Sequence, residues 1–265
     1  CVMSQTPDAI TIAAIDVGTN SVHMVIARVG KTGFDVLASE KEVVRLGEGA
    51  EGMDHLTFPA IERGVNALRR MKQIADAHSA EIHAVATSAV REASNKEEFL
   101  TAVRETVGIE IEVISGAEEA RLIHVGVSRS LNISSDATLT IDIGGGSTEF
   151  CISKNGQIEF AQSVKMGAVR MTDAFLPGGV VNDTAIRKLR SKVRSALAPL
   201  AHDIITIGFD RVIVSSGTSE TLARIVAARR ETSLPQSLNG FSFTYAEIAD
   251  VVKLILNESD PAQRR

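Results

Sequence analysis

Two carboxylates flank a short run of small residues near the middle of the chain. Asp142 precedes this run and Glu149 follows it, within the stretch TLTIDIGGGSTEF that starts at Thr138. The run consists of Gly144, Gly145, Gly146 and Ser147. The β-type residues on either side predict a strand, a tight turn and a second strand. Because glycine lets main-chain N–H groups approach a bulky anion, the turn suits a phosphate, and the carboxylates suit a divalent cation beside it. A hairpin that binds nothing explains the same pattern.

A similar stretch occurs in the first part of the chain. Ala14–Ser21 reads AIDVGTNS, and its Asp16 lies 126 positions before Asp142. A repeat at about the spacing of one domain predicts an internal duplication, in which two hairpin loops clamp one phosphate chain. Asn20 and Ser21 are then candidate phosphate ligands, and Asp16 is a third candidate metal ligand. Asp16 could instead form hydrogen bonds within its own turn.

The composition excludes several classes of protein. With 265 residues, 44% of them hydrophobic, the chain can bury two modest cores, which agrees with two lobes. The net charge of −5 favours neither nucleic acid nor an acidic membrane as a partner. The two cysteines, Cys1 and Cys151, and the six histidines show no metal spacing, so neither a disulfide framework nor a zinc site is expected. The cysteine usage and the absence of a membrane-length apolar segment predict a soluble cytoplasmic protein.

The predicted elements follow a similar order in the two halves. The first lobe, residues 1–132, is predicted as three strands followed by helix, strand, helix, strand and helix. The second lobe, residues 133–265, begins with two strands and adds a third after the hairpin signal Asn155-Gly156. Its remaining predicted elements are a helix from Asn182 to Leu200, a strand from Arg211 to Ser215 and a helix from Ser216 to Arg229. The chain ends before a last strand and helix of the repeat, which predicts a truncated piece.

Local patterns add two further expectations. The pairs Ser94 with Glu97 and Thr244 with Glu247 predict capping boxes at helix starts. The helix that begins at Asn182 carries five basic residues, Arg187, Lys188, Arg190, Lys192 and Arg194. Such a basic face either guides a long polyanion or is simply solvated.

Six motifs occur in an order that resembles one protein family. They are DVGTNSVHMVIAR at Asp16–Arg28, ATSAVREA at Ala86–Ala93, ISGAEEARLI at Ile114–Ile123, DIGGGSTE at Asp142–Glu149, MGAVR at Met166–Arg170 and SGT at Ser216–Thr218. Together they resemble the exopolyphosphatase and guanosine pentaphosphate phosphohydrolase family, within the superfamily of actin, sugar kinases and Hsp70. The resemblance implies an α/β fold of two duplicated actin-like (ribonuclease H-like) lobes. Each lobe is expected to contain a mixed sheet flanked by helices, with a cleft between the lobes and the C-terminal end of the second lobe missing.

The resemblance also implies a reaction. Members of the family hydrolyse the terminal phosphoanhydride bond of inorganic polyphosphate, or of pppGpp in the stringent response, by Mg²⁺-assisted attack of water. The family pattern places the catalytic base at the second carboxylate of ISGAEEA, which is Glu119. We therefore expect an exopolyphosphatase with Mg²⁺ as cofactor. Hydrolysis of pppGpp to ppGpp is the alternative, and a homodimer is left open.

The proposed chemistry needs an oriented water and stabilised phosphates. Glu119 can orient the water, and Glu118 is its rival. Because successive helical residues project about 100° apart, only one of the two can face the water, and helix geometry together with the family motif favours Glu119. Arg91, predicted in a short turn after a strand, can reach a phosphate, although a solvated loop arginine has the same pattern. Gly217 and Thr218 lie at a strand-to-helix junction, where free N–H groups attract an anion or form an ordinary cap.

Two other functions are compatible with the sequence. A kinase of the superfamily would transfer phosphate from ATP to a small acceptor, although the sequence shows no sugar-binding motif. A weakly catalytic protein that binds polyphosphate or guanosine alarmones would have no need of Glu119. Release of phosphate from polyphosphate without ATP separates the hydrolase from both.

Overall fold

The protein consists of two compact units, each built around one mixed β-sheet. The structure, a computed structural model, describes residues 9–31, 33–49, 53–131, 133, 136–230 and 237–257. The expectations that concern Cys1 and the chain end at 260–265 fall outside these residues. The first unit is Cys1–Ser115 and the second is Gly116–Arg265.

The first unit has five strands in the order β3-β2-β1-β4-β5. Its elements are β1 (Ile10–Val17), β2 (Ser21–Gly30), β3 (Gly33–Val43), α1 (Phe58–Ala77), β4 (Glu81–Ala86), α2 (Ser88–Glu92), α3 (Lys96–Val107) and β5 (Ile111–Val113). β1 pairs antiparallel with β2 and parallel with β4. Alternate residues of β1 and β2, such as Ile15 and Met24, are buried in one core with Leu68 of α1 and Phe99 of α3. Because buried residues recur at every second position along β1 and β2, the sequence predicts strands there.

The second unit repeats this sheet order in its described residues, as β8-β7-β6-β9. Its elements are α4 (Gly116–Leu131), β6 (Thr138–Ile143), β7 (Thr148–Lys154), β8 (Gln157–Val164), α5 (Ala168–Phe175), α6 (Asp183–Ile207), β9 (Arg211–Ser215), α7 (Ser216–Arg229) and α8 (Tyr245–Asn257). β6 pairs antiparallel with β7 and parallel with β9, as β1 pairs with β2 and β4. The shared order and directions confirm the predicted pair of α/β lobes. A counterpart of β5 does not occur among the residues described.

The helix α4 belongs to the second unit. It packs against β6, β7 and β8, so the division between the units falls before this helix, at Ser115 and Gly116. The predicted boundary at residues 132 and 133 lies after it, because the sequence gives no sign of the sheet on which α4 packs.

The strand β7 is buried on both faces, and the two faces have different roles. Phe150 and Ile152 point to a core that includes Leu200 of α6. Glu149 and Cys151 lie on the opposite face because side chains alternate along a strand. This second face is where α4 packs, since its buried His124 shares a hydrogen bond of 2.8 Å with Thr140 of β6, and Thr140 lies opposite Cys151 in the sheet. The sheet therefore presents Glu149 toward α4.

Several local predictions need correction. The helix α3 begins after Asn95 rather than at Ser94, and no side chain caps it; the Ser94 hydroxyl donates instead to the carbonyl of Asp54 at 3.0 Å. By contrast, the capping box of Thr244 and Glu247 forms, with Glu247 accepting from the Thr244 backbone N–H at 2.7 Å. Arg91 lies in the short helix α2 and not in a turn.

Two helices differ from the sequence prediction in the second unit. The helix α6 continues past Leu200 to Ile207 although it contains Pro199, because Leu200 and Ile204 pack on the sheet. The helix α5 was not predicted. None of the described helices combines the length and apolar character needed to cross a membrane.

Candidate active site

The glycine-rich turn joins β6 to β7, the two central strands of the second sheet. The Gly144 N–H donates to the carbonyl of Ser147 at 3.0 Å and closes the turn. The N–H groups of Gly145 and Gly146 have no acceptor within the part of the chain that the structure describes. Two neighbouring donors of this kind can bind an anion such as a phosphate oxygen.

The start of α5 holds this turn in place. The N–H groups of Gly167, Ala168 and Arg170 donate to the carbonyls of Gly146, Gly144 and Gly145, at 3.2, 2.8 and 3.1 Å respectively. A Cβ atom at Gly167 would lie 2.3 Å from the Gly145 carbonyl carbon, so only glycine permits this approach. The carbonyl side of the turn is therefore occupied by α5, which leaves its N–H groups for a ligand.

Glu149 is a buried carboxylate beside the turn. It is only 2% exposed, and its Oε1 accepts a hydrogen bond from Ser163 Oγ at 2.7 Å. Burial, together with the negative charges of Glu119 and Asp142, raises the pKa of Glu149 from its ordinary 4.5 to about 7, against the opposing hydrogen bonds from Ser147 and Ser163. Glu149 is therefore a proton-binding group near neutral pH in the unliganded protein.

Asp142 lies directly opposite Glu149 in the β6–β7 pair. Ser215, at the end of β9, donates a hydrogen bond to its Oδ2. Burial raises the pKa of Asp142, and the bond from Ser215 opposes this shift. The neighbouring strands β9, β6 and β7 thus place Ser215, Asp142 and Glu149 side by side.

The first turn of α4 carries two glutamates with different surroundings. Glu118 is bound in a bidentate ion pair by Arg121 at 2.7 and 2.8 Å on an exposed face. This hydrogen bond from Arg121 is the largest cause that lowers the pKa of Glu118. Glu119 is half-buried, and its charge acts on Glu149. The structure therefore brings Glu119, Asp142 and Glu149 together within the second unit.

The N-terminus of α7 adds further main-chain donors. Ser215 is the N-cap residue, but its side chain does not cap the helix. Ser216 has a φ of 80°, and its hydroxyl donates to the Ile143 carbonyl at 2.6 Å. Gly217 and Thr218 follow in the first helical turn, where backbone N–H groups have no intrahelical acceptor. The predicted anion site is therefore free of a side-chain cap among the described residues.

The remaining candidates lie in the first unit and stay predictions. Asp16 is exposed and lies opposite His23 in the β1–β2 pair. The Asn20 carbonyl accepts hydrogen bonds from the N–H groups of residues 44 and 45, and Ser21 starts β2. Arg91 donates to the carbonyl of Ile114 at 3.2 Å.

Asp142 and Glu149 supply carboxylate oxygens, the type of ligand that a hard cation such as Mg²⁺ binds. Among the residues that are described, no three His, Cys, Asp or Glu side chains converge into a metal cage. Mg²⁺ does not need one, because it keeps several waters and binds one or two protein carboxylates with substrate oxygens. The adjacent pair Asp142 and Glu149 offers such oxygens.

Sequence reasoning missed three residues of this site, which are Gly167, Ser215 and Ser163. The hairpin signal Asn155-Gly156 alone would place Gln162 opposite Glu149. A β-bulge at Ile152 and Ser153 shifts the β7–β8 register by one residue and brings Ser163 there instead. Ser215 follows from the parallel pairing of β9 with β6, which no local pattern indicates.

The chain is similar in sequence to known proteins. A sequence model described as the Ppx/GppA phosphatase family matches residues 25–263. A Haemophilus influenzae protein named as an exopolyphosphatase is 34% identical over 217 residues, which cover 82% of this chain and 67% of that protein.

Solved structures show the same similarity in three dimensions. An exopolyphosphatase from Cytophaga hutchinsonii superposes with a TM-score of 0.86 at 30% identity, over 94% of this chain and 80% of that one. The Ppx/GppA enzyme of Aquifex aeolicus superposes with a TM-score of 0.77 at 25% identity, over 97% of this chain and 84% of that one.

Proposed function

Because the chain belongs to the Ppx/GppA phosphatase family, we propose that it hydrolyses the terminal phosphoanhydride bond of inorganic polyphosphate and releases orthophosphate. The relatives in two of the comparisons carry the name exopolyphosphatase. The proposal includes Mg²⁺ as cofactor and a cytoplasmic location, which the low cysteine content favours.

One observation carries the proposal. Glu119, Asp142 and Glu149 lie together beside a turn whose N–H groups at Gly145 and Gly146 have no acceptor among the described residues. A phosphoanhydride requires donors for its terminal phosphate and a carboxylate to orient the attacking water. The second unit supplies both from its own residues.

Glu119 is the residue we assign as the base. Glu118, its neighbour, is held by Arg121 on an exposed face, so its carboxylate is already neutralised. Glu119, Asp142 and Glu149 together form what we call the acidic cluster. In this cluster Glu119 can accept a proton from a water that attacks phosphorus. The amides of the turn, with those of Gly217 and Thr218, would bind the phosphate oxygens.

Asp142 and Glu149 are the residues we assign to the cation. When they are both ionised they repel each other in a buried setting, and a divalent cation relieves this repulsion. The bound ion would neutralise charge on the phosphoryl oxygens. Ser163 and Ser215 would keep the two carboxylates oriented through the hydrogen bonds already described.

The experiment is a phosphate-release assay on the purified chain. Long-chain polyphosphate, tripolyphosphate, pppGpp and ATP are supplied separately, each with Mg²⁺ or with EDTA. The proposal predicts orthophosphate release from polyphosphate that stops in EDTA and needs no ATP.

Other outcomes assign other functions. Release from pppGpp alone would identify a guanosine pentaphosphate phosphohydrolase. Phosphate transfer from ATP to an acceptor, without hydrolysis of polyphosphate, would favour a kinase. Binding of polyphosphate without any release would leave a binding protein.

A further inference from the structure

The helix α6 carries a concentration of positive charge that the acidic protein does not balance locally. Five basic residues lie between positions 187 and 194, whereas the whole chain has a net charge of −5. The nearest acidic residues along the helix are Asp183 and Asp203. All five basic residues are exposed. This charge is therefore a local feature of one helix.

Three of these residues form one line. Arg187, Arg190 and Arg194, which we call the arginine stripe, follow each other at spacings of three and four positions, so their side chains share one face of the helix. They line an open depression of about 520 Å³ together with Ser191, Ser195 and Ala198. With a rise of about 1.5 Å per residue, the stripe extends over roughly 10 Å.

The arginine stripe has no acidic partner. Within the described parts of the chain, none of its guanidinium groups forms an ion pair, and Arg187 donates a hydrogen bond to the hydroxyl of Thr184 at 3.0 Å. Two basic residues on other helices of the same unit are paired, Arg224 with Glu220 and Lys253 with Asp250. Like charges at these spacings destabilise a helix, so an unpaired stripe indicates an anionic partner from outside the chain.

The chemistry of the stripe favours a phosphate chain over a nucleic acid. Arginine forks bind phosphate in bidentate geometry. Ser191 and Ser195, which line the same depression, offer hydroxyl groups as further donors. Proteins that bind single-stranded nucleic acid add aromatic side chains on which bases stack. The helix α6 contains no Phe, Tyr or Trp, so it offers nothing that reads or stacks a base.

The stripe also belongs to the same unit as the glycine turn. The helix α6 packs against α5, and the first residues of α5 hold the turn through the backbone bonds described above. We infer that the arginine stripe is an accessory binding surface for long polyphosphate, which holds the chain while its end is hydrolysed. The inference rests on the proposed function, since it takes polyphosphate as the substrate.

The test compares two double variants with equal change in charge. R190S/R194S removes two stripe residues, and R224S/K253S removes two paired cations of the same unit. Both are made in the Glu119→Gln background, and the Kd for long-chain polyphosphate is measured over a range of salt concentrations. Because binding is measured without turnover, the result does not depend on whether the chain proves to be a hydrolase.

We expect R190S/R194S to raise the Kd for long-chain polyphosphate about tenfold and to reduce its salt dependence, because counterion release falls with each lost contact. R224S/K253S should change it less than about twofold, since exposed paired cations contribute little. In the active protein, the preference for long chains over tripolyphosphate should fall with the same stripe variant, because three phosphates gain little from a multivalent surface.

Two results would overturn the inference. One is an equal loss of binding in both double variants, which would reduce the stripe to general charge. The other is that single-stranded DNA binds to the same arginines as tightly as polyphosphate does, which would assign the surface to nucleic acid. If phosphate release is absent while the stripe variant still loses binding, only the proposed function fails.

Discussion

The first hairpin of each unit is built on the same turn but surrounded by different side chains. The Gly18 N–H donates to the Ser21 carbonyl at 3.0 Å, and the Gly144 N–H donates to the Ser147 carbonyl at the same distance. An aspartate precedes each turn at the same position, and the strand order around both is alike. The duplicated scaffold therefore fixes the geometry of both turns.

The side chains opposite the two aspartates differ. Asp16 lies opposite His23 and beside Val85, whereas Asp142 lies opposite Glu149 and beside Ser215. His23 is exposed, whereas Glu149 is buried. The comparison shows that the backbone repeat alone does not make the acidic site. The acidic site also requires carboxylates that are shielded from water, as they are in the second unit.

The largest expected effect follows from the contact between α5 and the second turn. Gly167→Ala places a Cβ atom 2.3 Å from the Gly145 carbonyl carbon and oxygen, so α5 or the turn must move. We expect a loss of about 1–3 kcal/mol in unfolding free energy from overpacking. Activity should fall by about 100-fold, because the turn's N–H groups lose their position. Chemical denaturation and phosphate release measure the two effects.

A control glycine in the same unit separates strain from a general effect of alanine. A Cβ at Gly126 of α4 would meet nothing within 4 Å, so Gly126→Ala should add about 0.5–1 kcal/mol of helix stability. Hydrogen exchange of β1 and β2 should be the same in Gly167→Ala as in the parent protein, because these strands belong to the first unit and Gly167 lies in the second. Equal stability of the two variants would show that α5 does not hold the turn as described.

The next effect is a pH dependence of opposite sign in the two units. Glu149 has a pKa raised from 4.5 to about 7, so the folded state binds an extra proton between these values. Stability of the metal-free second unit is therefore complete below pH 4.5 and falls as pH rises toward 7, by at most about 1.4 kcal/mol per pH unit. Glu149→Gln should flatten this fall in protein kept in EDTA.

His23 should act in the reverse direction and more weakly. Although His23 is exposed, partial desolvation of its ring, followed by the charge of Lys41, lowers its pKa below 6.5, so the unfolded chain binds the proton more readily. Stability of the first unit should therefore decrease as pH falls below 6.5. Hydrogen exchange of each sheet at pH 5 and pH 7 reads the two slopes separately. Slopes of equal sign in both units would contradict the assigned environments.

The smallest effect compares two helix starts that look alike in sequence. Thr244→Ala removes a capping box in which the Glu247 N–H donates to Thr244 Oγ1 at 3.3 Å, and it should cost about 1 kcal/mol. Ser94→Ala loses one exposed bond to the Asp54 carbonyl and should cost less than about 0.5 kcal/mol. Thermal unfolding of both variants measures the difference, and a larger cost for Ser94→Ala would reverse the assignment.

Local patterns predicted the parts of the fold that depend on local interactions. The turn at Gly144, the hairpin at Asn155 and Gly156, and the junction at Ser215 and Ser216 each have a short-range cause in turn chemistry or in strand alternation. Both Asn155 and Gly156 have positive φ, at 50° and 75°, as a two-residue hairpin requires.

The missed features depend on distant contacts. Asn95 cannot cap α3 because its side chain binds the backbone of Leu56, through Oδ1 at 2.8 Å and Nδ2 at 2.9 Å. The helix α6 runs through Pro199 because residues beyond it are buried on the sheet. The carboxylates at 142 and 149 were predictable as a pair, but their burial and the approach of Glu119 come from the packing of α4.

The most direct test of this account is the rate of phosphate release from long-chain polyphosphate by Glu119→Gln and Glu118→Gln, measured side by side with Mg²⁺. We predict that Glu119→Gln lowers kcat by about 10²–10⁴-fold, as loss of a general base does. Glu118→Gln should stay within a few-fold of the parent, since the ion pair with Arg121 that it breaks is exposed. Equal rates for the two folded variants would contradict the assignment of Glu119 and the central role given to the acidic cluster.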